Sequence, residues 1–215
     1  MYLVIDVETE NTGSDIMKDN KRIISIQIGD ATKQELYYDD SQNPQWTLGQ
    51  AKKKITSLAS QGYIFAGFNF KKFDLHFLKH FLGIELSQSN IFDLSDTPQI
   101  EDYRKNKIFR LEDVCRKCGI EVTHKHKMNQ KAESYKTRRD IIEQAHTKAE
   151  EMVRTKQWSL DFAFNWVLDK LAGGHAIYDS YQEFVQSGGR KDTLFYEYAI
   201  GDVISEYQLL KALGY

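Results

Sequence analysis

Three short apolar runs constrain the fold of this chain more than anything else in it: YLVIDV at 2–7, RIISIQIG at 22–29 and YIFAGF at 63–68. Each is rich in β-branched or aromatic residues and bounded by polar ones, so each reads as a strand. QELYY at 34–38 follows the second run after a short polar break, as the return arm of a hairpin, and IFDL at 91–94 makes a fifth strand. Around them the apolar period changes to that of helices. Leu48, Ala51, Ile55, Leu58 and Ala59 mark one helix over 47–60, and Phe73, Phe77, Leu78, Phe81 and Leu82 mark another that Gly83 ends. RLEDVCRKCG at 110–119 is a short helix, again stopped by glycine. Strands and helices interleaved in this order indicate an α/β fold, and 215 residues suit one domain, 1–215.

Past residue 120 the pattern becomes helical. Ala132, Tyr135, Ile142, Ala145, Ala149, Met152 and Val153 fit one apolar stripe on a long basic helix. WSLDFAFNWVLDKLAGG at 158–174 is apolar around most of its circumference and is expected to be buried from more than one side. The Gly-Gly pairs at 173–174 and 188–189 punctuate the chain beyond it, and a last helix runs from about Thr193 to Leu213. Residues 121–190 therefore read as a helical insertion before that helix.

Four acidic residues recur at the ends of these elements. Asp6 and Glu8 are two apart on the first strand, so they share a face. That face lies where an apolar strand finishes, the edge at which such sheets bind ligands. Asp74 falls in the first turn after the fourth strand, behind Asn69, and Asp202 lies on the final helix with Tyr198 one turn before it. Each acid alone reads as ordinary surface charge. Crowded together they raise one another's pKa unless a cation neutralises them, and oxygen ligands without His or Cys select Mg²⁺ or Mn²⁺. Two such ions make a clamp for in-line displacement at phosphorus.

VIDVETE, GFNFKKFDLHFL and YEYAIGDVISEYQLL resemble the three motifs of the DEDD superfamily of 3′–5′ exonucleases, whose fold is RNase H-like. The likeness extends to NIFDLSD and FRLEDVCRKCGIE, and covers residues 1–120 and 190–215. It points to the tyrosine (DEDDy) branch, similar to polymerase proofreading domains, because the histidine branch would need His where this chain has Glu197. The resemblance implies a mixed five-stranded sheet flanked by helices and two divalent ions. In it Asp6, Glu8 and Asp202 hold the first ion, Asp6 bridges to the second, and Asp74 holds that second ion directly or through water. Tyr198 would orient the attacking water; a phenol with pKa near ~10 is a poor base at neutral pH. Thr9, Asn69 and Phe70 would grip the terminal nucleotide. The expected reaction is 3′-end phosphodiester hydrolysis, on DNA in preference to RNA, with RNA trimming or a silent nucleic-acid-binding protein as the alternatives.

Charge and composition narrow the partners. Net charge is −2, yet residues 104–156 carry 15 basic and 8 acidic side chains, leaving −9 on the remainder. That basic stretch either solvates helix surfaces or attracts a polyanion, in which case Arg138 and Arg139 are the residues to test. Tyr135, Trp158 and Trp166 could stack on bases; the plainer expectation is that Trp158, Phe162 and Trp166 cover core between two layers. The insertion is otherwise a candidate surface for a second copy or a separate protein. No apolar run approaches the ~18 residues of a membrane span, so no membrane partner is expected. MYLVIDVETE lacks the marks of a secretory signal, and two cysteines make no disulfide framework, so a reducing, cytoplasmic setting is expected. Cys115 and Cys118 with His124 and His126 have zinc-type spacing, against which stands ordinary packing of Cys115 on the apolar side of its helix. His175 is expected to have no functional role.

Overall fold

A computed structural model describes residues 1–12, 22–39 and 47–215. The strands are β1 (Tyr2–Thr9), β2 (Ile23–Gly29), β3 (Gln34–Tyr38), β4 (Ile64–Gly67) and β5 (Ile91–Asp93). The helices are α1 (Leu48–Ser60), α2 (Asp74–Leu82), α3 (Pro98–Lys105), α4 (Leu111–Lys117), α5 (Lys125–Tyr135), α6 (Arg139–Lys156), α7 (Leu160–Gln186) and α8 (Leu194–Ala212). The five strands form one mixed sheet in the order β3-β2-β1-β4-β5, an α/β arrangement of RNase H-like type. β2 runs antiparallel to β1 and β3, whereas β4 runs parallel to β1 and β5. The chain divides into two compact units, the first made of Met1–Thr9, Arg22–Thr123 and Glu197–Tyr215, the second of His124–Tyr196 with residues 10–12.

In the first unit β1 is central, and its alternation builds two cores. Ile5 and Val7 face one way, packing with Ile26 and Ile28 of β2, Ala51 and Ile55 of α1, and Phe77 and Leu78 of α2. Val4 faces the other way, toward Leu111, Val114 and Cys115 of α4 and Val203, Leu209 and Leu210 of α8. The period of two thus puts Asp6 and Glu8 on the α8 side of the sheet. A register shift between Glu8 and Thr9 breaks the pairing with β2 there. α2 ends as expected at Gly83, whose φ of +59° is the left-handed conformation that stops a helix. α3 carries no strong apolar period and was not foreseen; Pro98 at its first position and Ile100, its one buried residue, place it.

The second unit departs from expectation in three places. The single long basic helix is two helices, α5 and α6, parted at 136–138, where Arg138 has left the helical region for an extended conformation. α6 buries Ile141, Ala145, Ala149 and Met152 against Ala163, Val167 and Leu171 of α7. α7 is not broken at Gly173–Gly174 but runs through it for 27 residues. Gly174 serves a close approach instead: a Cβ there would lie 1.9 Å from the Asn11 carbonyl oxygen. Gly188 and Gly189 do end the helix, at φ of +75° and +80°. Finally, the start of α7 is not enclosed, since Leu160 is 48% and Phe162 55% exposed. Trp158 and Trp166 do pack, partly buried, against the α6–α7 core, while Phe162 meets Trp158 edge-on from the exposed side, at a ring-centroid distance of 4.9 Å.

Candidate metal centre

Asp6, Glu8 and Asp202 each place a carboxylate oxygen within 4.8 Å of the others, the one such group of metal-ligating residues among the described residues. Asp6 and Glu8 stand half-buried on β1, while Asp202 is buried on α8. Asp74 opens α2 and is 4% exposed, and its Oδ1 accepts the backbone N–H of Val7 at 2.8 Å. Burial, and next the Asp6 charge, push its carboxyl well above the ordinary carboxylate range. Tyr198 lies one turn before Asp202, and its phenol is pushed well above its ordinary value by burial and then by Glu8, Asp202 and Asp6. These surroundings favour the protonated, hydrogen-bond-donating phenol.

Sequence reasoning passed over Glu206, one turn beyond Asp202 on the same helix face. It is 4% exposed; burial first, then Asp6, Asp74 and Asp202, push its carboxyl well above the usual range, while the Phe68 amide pulls the other way. Its Oε2 is buried without a hydrogen-bond partner. The signal was available: an acid at i+4 from Asp202 continues the Tyr198–Asp202 row, between Val203 and Leu209 of the buried face.

The residues expected to hold substrate differ in accessibility. Thr9, 9% exposed, lies at the register break after Glu8. Asn69 has a positive φ of 63°, its N–H donates to Ser95 Oγ at 2.8 Å, and its Oδ1 accepts from Ser95 and Arg104. Phe70 is fully buried, packed where Gly67 passes Ile5, so its ring cannot reach a nucleotide without opening the core. The exposed ring of that segment is Phe73, at 42%. In the second unit Arg138 pairs with Asp140 and lies over the Tyr135 ring at 4.9 Å, and Arg139 pairs with Glu143 at 2.7 Å. Cys115, Cys118, His124 and His126 form no metal-ligating group among the described residues; Cys115 is fully buried, its Sγ 4.0 Å from the Ser205 carbonyl.

Only oxygen donors converge on the centre, and a buried carboxylate oxygen without a partner stands beside them, so the residues present fit hard divalent cations. An RNase H-like sheet that gathers acids from β1 and α8 at its strand ends defines a nuclease-type centre. The 3′–5′ exonuclease family model matches residues 2–214, and the chain belongs to that family. No curated protein matches the chain at a significant level. Among the described residues, no helix is long and apolar enough to cross a membrane.

Proposed function

We propose that the protein is a DEDDy-branch 3′–5′ exonuclease that removes mononucleotides from single-stranded or frayed 3′ ends of DNA. The observation that carries this reading is the meeting of Asp6, Glu8 and Asp202 within 4.8 Å, with Tyr198 one turn before Asp202. Asp6, Glu8 and Asp202 would hold one Mg²⁺ or Mn²⁺, and Asp6 with Asp74 a second. Such a pair, when bound, supplies Lewis acidity to the attacking water and charge stabilisation to the attacking and leaving oxygens.

The chain's own groups do the rest. Tyr198, held neutral by burial and by the surrounding carboxylates, donates its phenol O–H to orient the water and does not act as the base. Asp74, fixed by the Val7 amide, keeps its carboxylate on the Asp6 side of the centre. Thr9 and Asn69 position the terminal nucleotide through backbone and polar groups. Arg138 and Arg139 bind phosphates: each has a carboxylate partner, but exposed ion pairs are weak enough for a phosphate to compete. Charge reversal at both should then weaken binding and flatten its salt dependence.

The deciding experiment incubates 5′-labelled single-stranded and duplex DNA and RNA with the protein in Mg²⁺, Mn²⁺ or EDTA. A ladder shortening from the 3′ end of DNA, abolished by EDTA and by Asp6→Ala or Asp202→Ala, is the expected result. A ladder on RNA alone replaces the substrate. Full activity in either variant overturns the assignment of the centre.

A further inference from the structure

We propose that Glu206 is a fifth carboxylate of the cation centre, facing the Asp6–Asp74 side, and that it strengthens the hold on the second divalent ion. The inference rests on the functional reading above and adds a residue to it. Three observations carry it. Tyr198, Asp202 and Glu206 stand at i, i+4 and i+8 on α8, so one helix row faces the centre. Glu206 is 4% exposed, and beyond its burial the charges of Asp6, Asp74 and Asp202 reach it while the Phe68 amide donates to it. Its Oε2 has no hydrogen-bond partner and no access to solvent.

A buried acid is normally satisfied at both oxygens by donors or by a cation, and one that accepts the Phe68 amide but keeps Oε2 buried and unpaired demands an explanation. Packing does not supply it, because Asp202 and Glu206 repel at i,i+4 where an apolar residue would favour both the helix and the core. Glu206 stands outside the close group of Asp6, Glu8 and Asp202, so it does not duplicate their site. What remains on its side is the position shared by Asp6 and Asp74. There a further negative group deepens the well for a second dication, directly or through the water that hydrates it.

The test is Mn²⁺ binding to the full chain, read by the electron paramagnetic resonance of free ion, with melting temperature in EDTA alongside. Wild type is expected to take two ions. Glu206→Gln should keep the first affinity and weaken the second about tenfold, and should melt higher than wild type in EDTA because a buried repulsion is gone. Glu206→Met should show the same binding pattern if the glutamine folds poorly. Unchanged affinity for both ions in these variants overturns the proposal, as does a lower melting temperature for both in EDTA, which would make Glu206 structural. If wild type binds no Mn²⁺ at all, the metal reading of Asp6, Glu8 and Asp202 fails first and this inference with it. Wild-type binding lost in Asp202→Asn but untouched in Glu206→Gln sinks this inference alone.

Discussion

Asp74 accepts the backbone N–H of Val7 at 2.8 Å, so the carboxylate that opens α2 is tied to the strand carrying Asp6 and Glu8. The bond gives Asp74 two separable duties: it satisfies a buried amide and it sets a charge beside Asp6. Asp74→Asn keeps the acceptor and removes the charge that burial and Asp6 oppose. Asp74→Ala leaves the Val7 amide unpaired, which costs about 1–3 kcal/mol. Both variants should lose cation-dependent hydrolysis. In urea unfolding with EDTA, Asp74→Asn should equal or exceed wild type, with Asp74→Ala below it by about 1–2 kcal/mol. Equal stability of the two variants would show that the amide bond contributes nothing.

Tyr198 is held neutral by burial and by Glu8, Asp202 and Asp6, so its part in hydrolysis is to donate a hydrogen bond. Tyr198→Phe removes the O–H and little else. Single-turnover rates should fall on the order of 10²-fold, the usual effect of one well-placed donor, with substrate affinity nearly unchanged. The pH–rate profile of the variant should keep the shape of wild type, since no Tyr198 ionisation shapes it. A lost alkaline limb in the variant would contradict this and make the phenolate the working form.

The sheet and the acids that meet on it were legible because each depends on short-range pattern. β1 shows its period of two, and Asp6 and Glu8 inherit their shared face from it; α8 shows its turn spacing, and Asp202 follows. Glu206 was equally legible in spacing but was passed over, because an acid on a buried helix face reads as an exception until its surroundings are known. The break between α5 and α6 was not legible: 135–139 contains neither glycine nor proline, and the apolar spacing runs across it from Tyr135 into Ile142 and Ala145, whereas the structure buries Ile141 in place of Ile142. Phe70 and Phe73 show the opposite case. Nothing local distinguishes them, yet Phe70 is enclosed in the core with Ile5 and Phe77 while Phe73 is 42% exposed.

Gly173 and Gly174 look alike in sequence and differ in place. A Cβ at Gly173 meets nothing within 4 Å, whereas one at Gly174 would lie 1.9 Å from the Asn11 carbonyl oxygen. Gly173→Ala should therefore stabilise α7 by up to about 1 kcal/mol through helix propensity alone. Gly174→Ala must displace the backbone at Asn11 and should cost about 1–3 kcal/mol despite the same propensity change. Thermal melts followed by circular dichroism should move in opposite directions for the two. A parallel rise in both would mean that residues 10–12 do not pack against α7 at this point.

His175 supplies the acid sensitivity expected of the second unit. Burial pushes its imidazole below the ordinary 6.5 and Arg138 acts the same way, while Asp179, Asp140 and the Thr12 backbone push back. Nε2 is buried without a hydrogen-bond partner among the described residues, so a proton placed there has nothing to receive it. A base whose folded pKa is depressed contributes stability above its unfolded pKa and loses it as pH falls through the folded value. The melting temperature should therefore be level in this respect above about pH 7 and decline below pH ~6.5. His175→Gln keeps a polar side chain without the titration, and should flatten that decline between about pH 7 and pH 5 while leaving any steeper loss from carboxylate protonation below it. Identical acid slopes in wild type and variant would remove His175 as the cause.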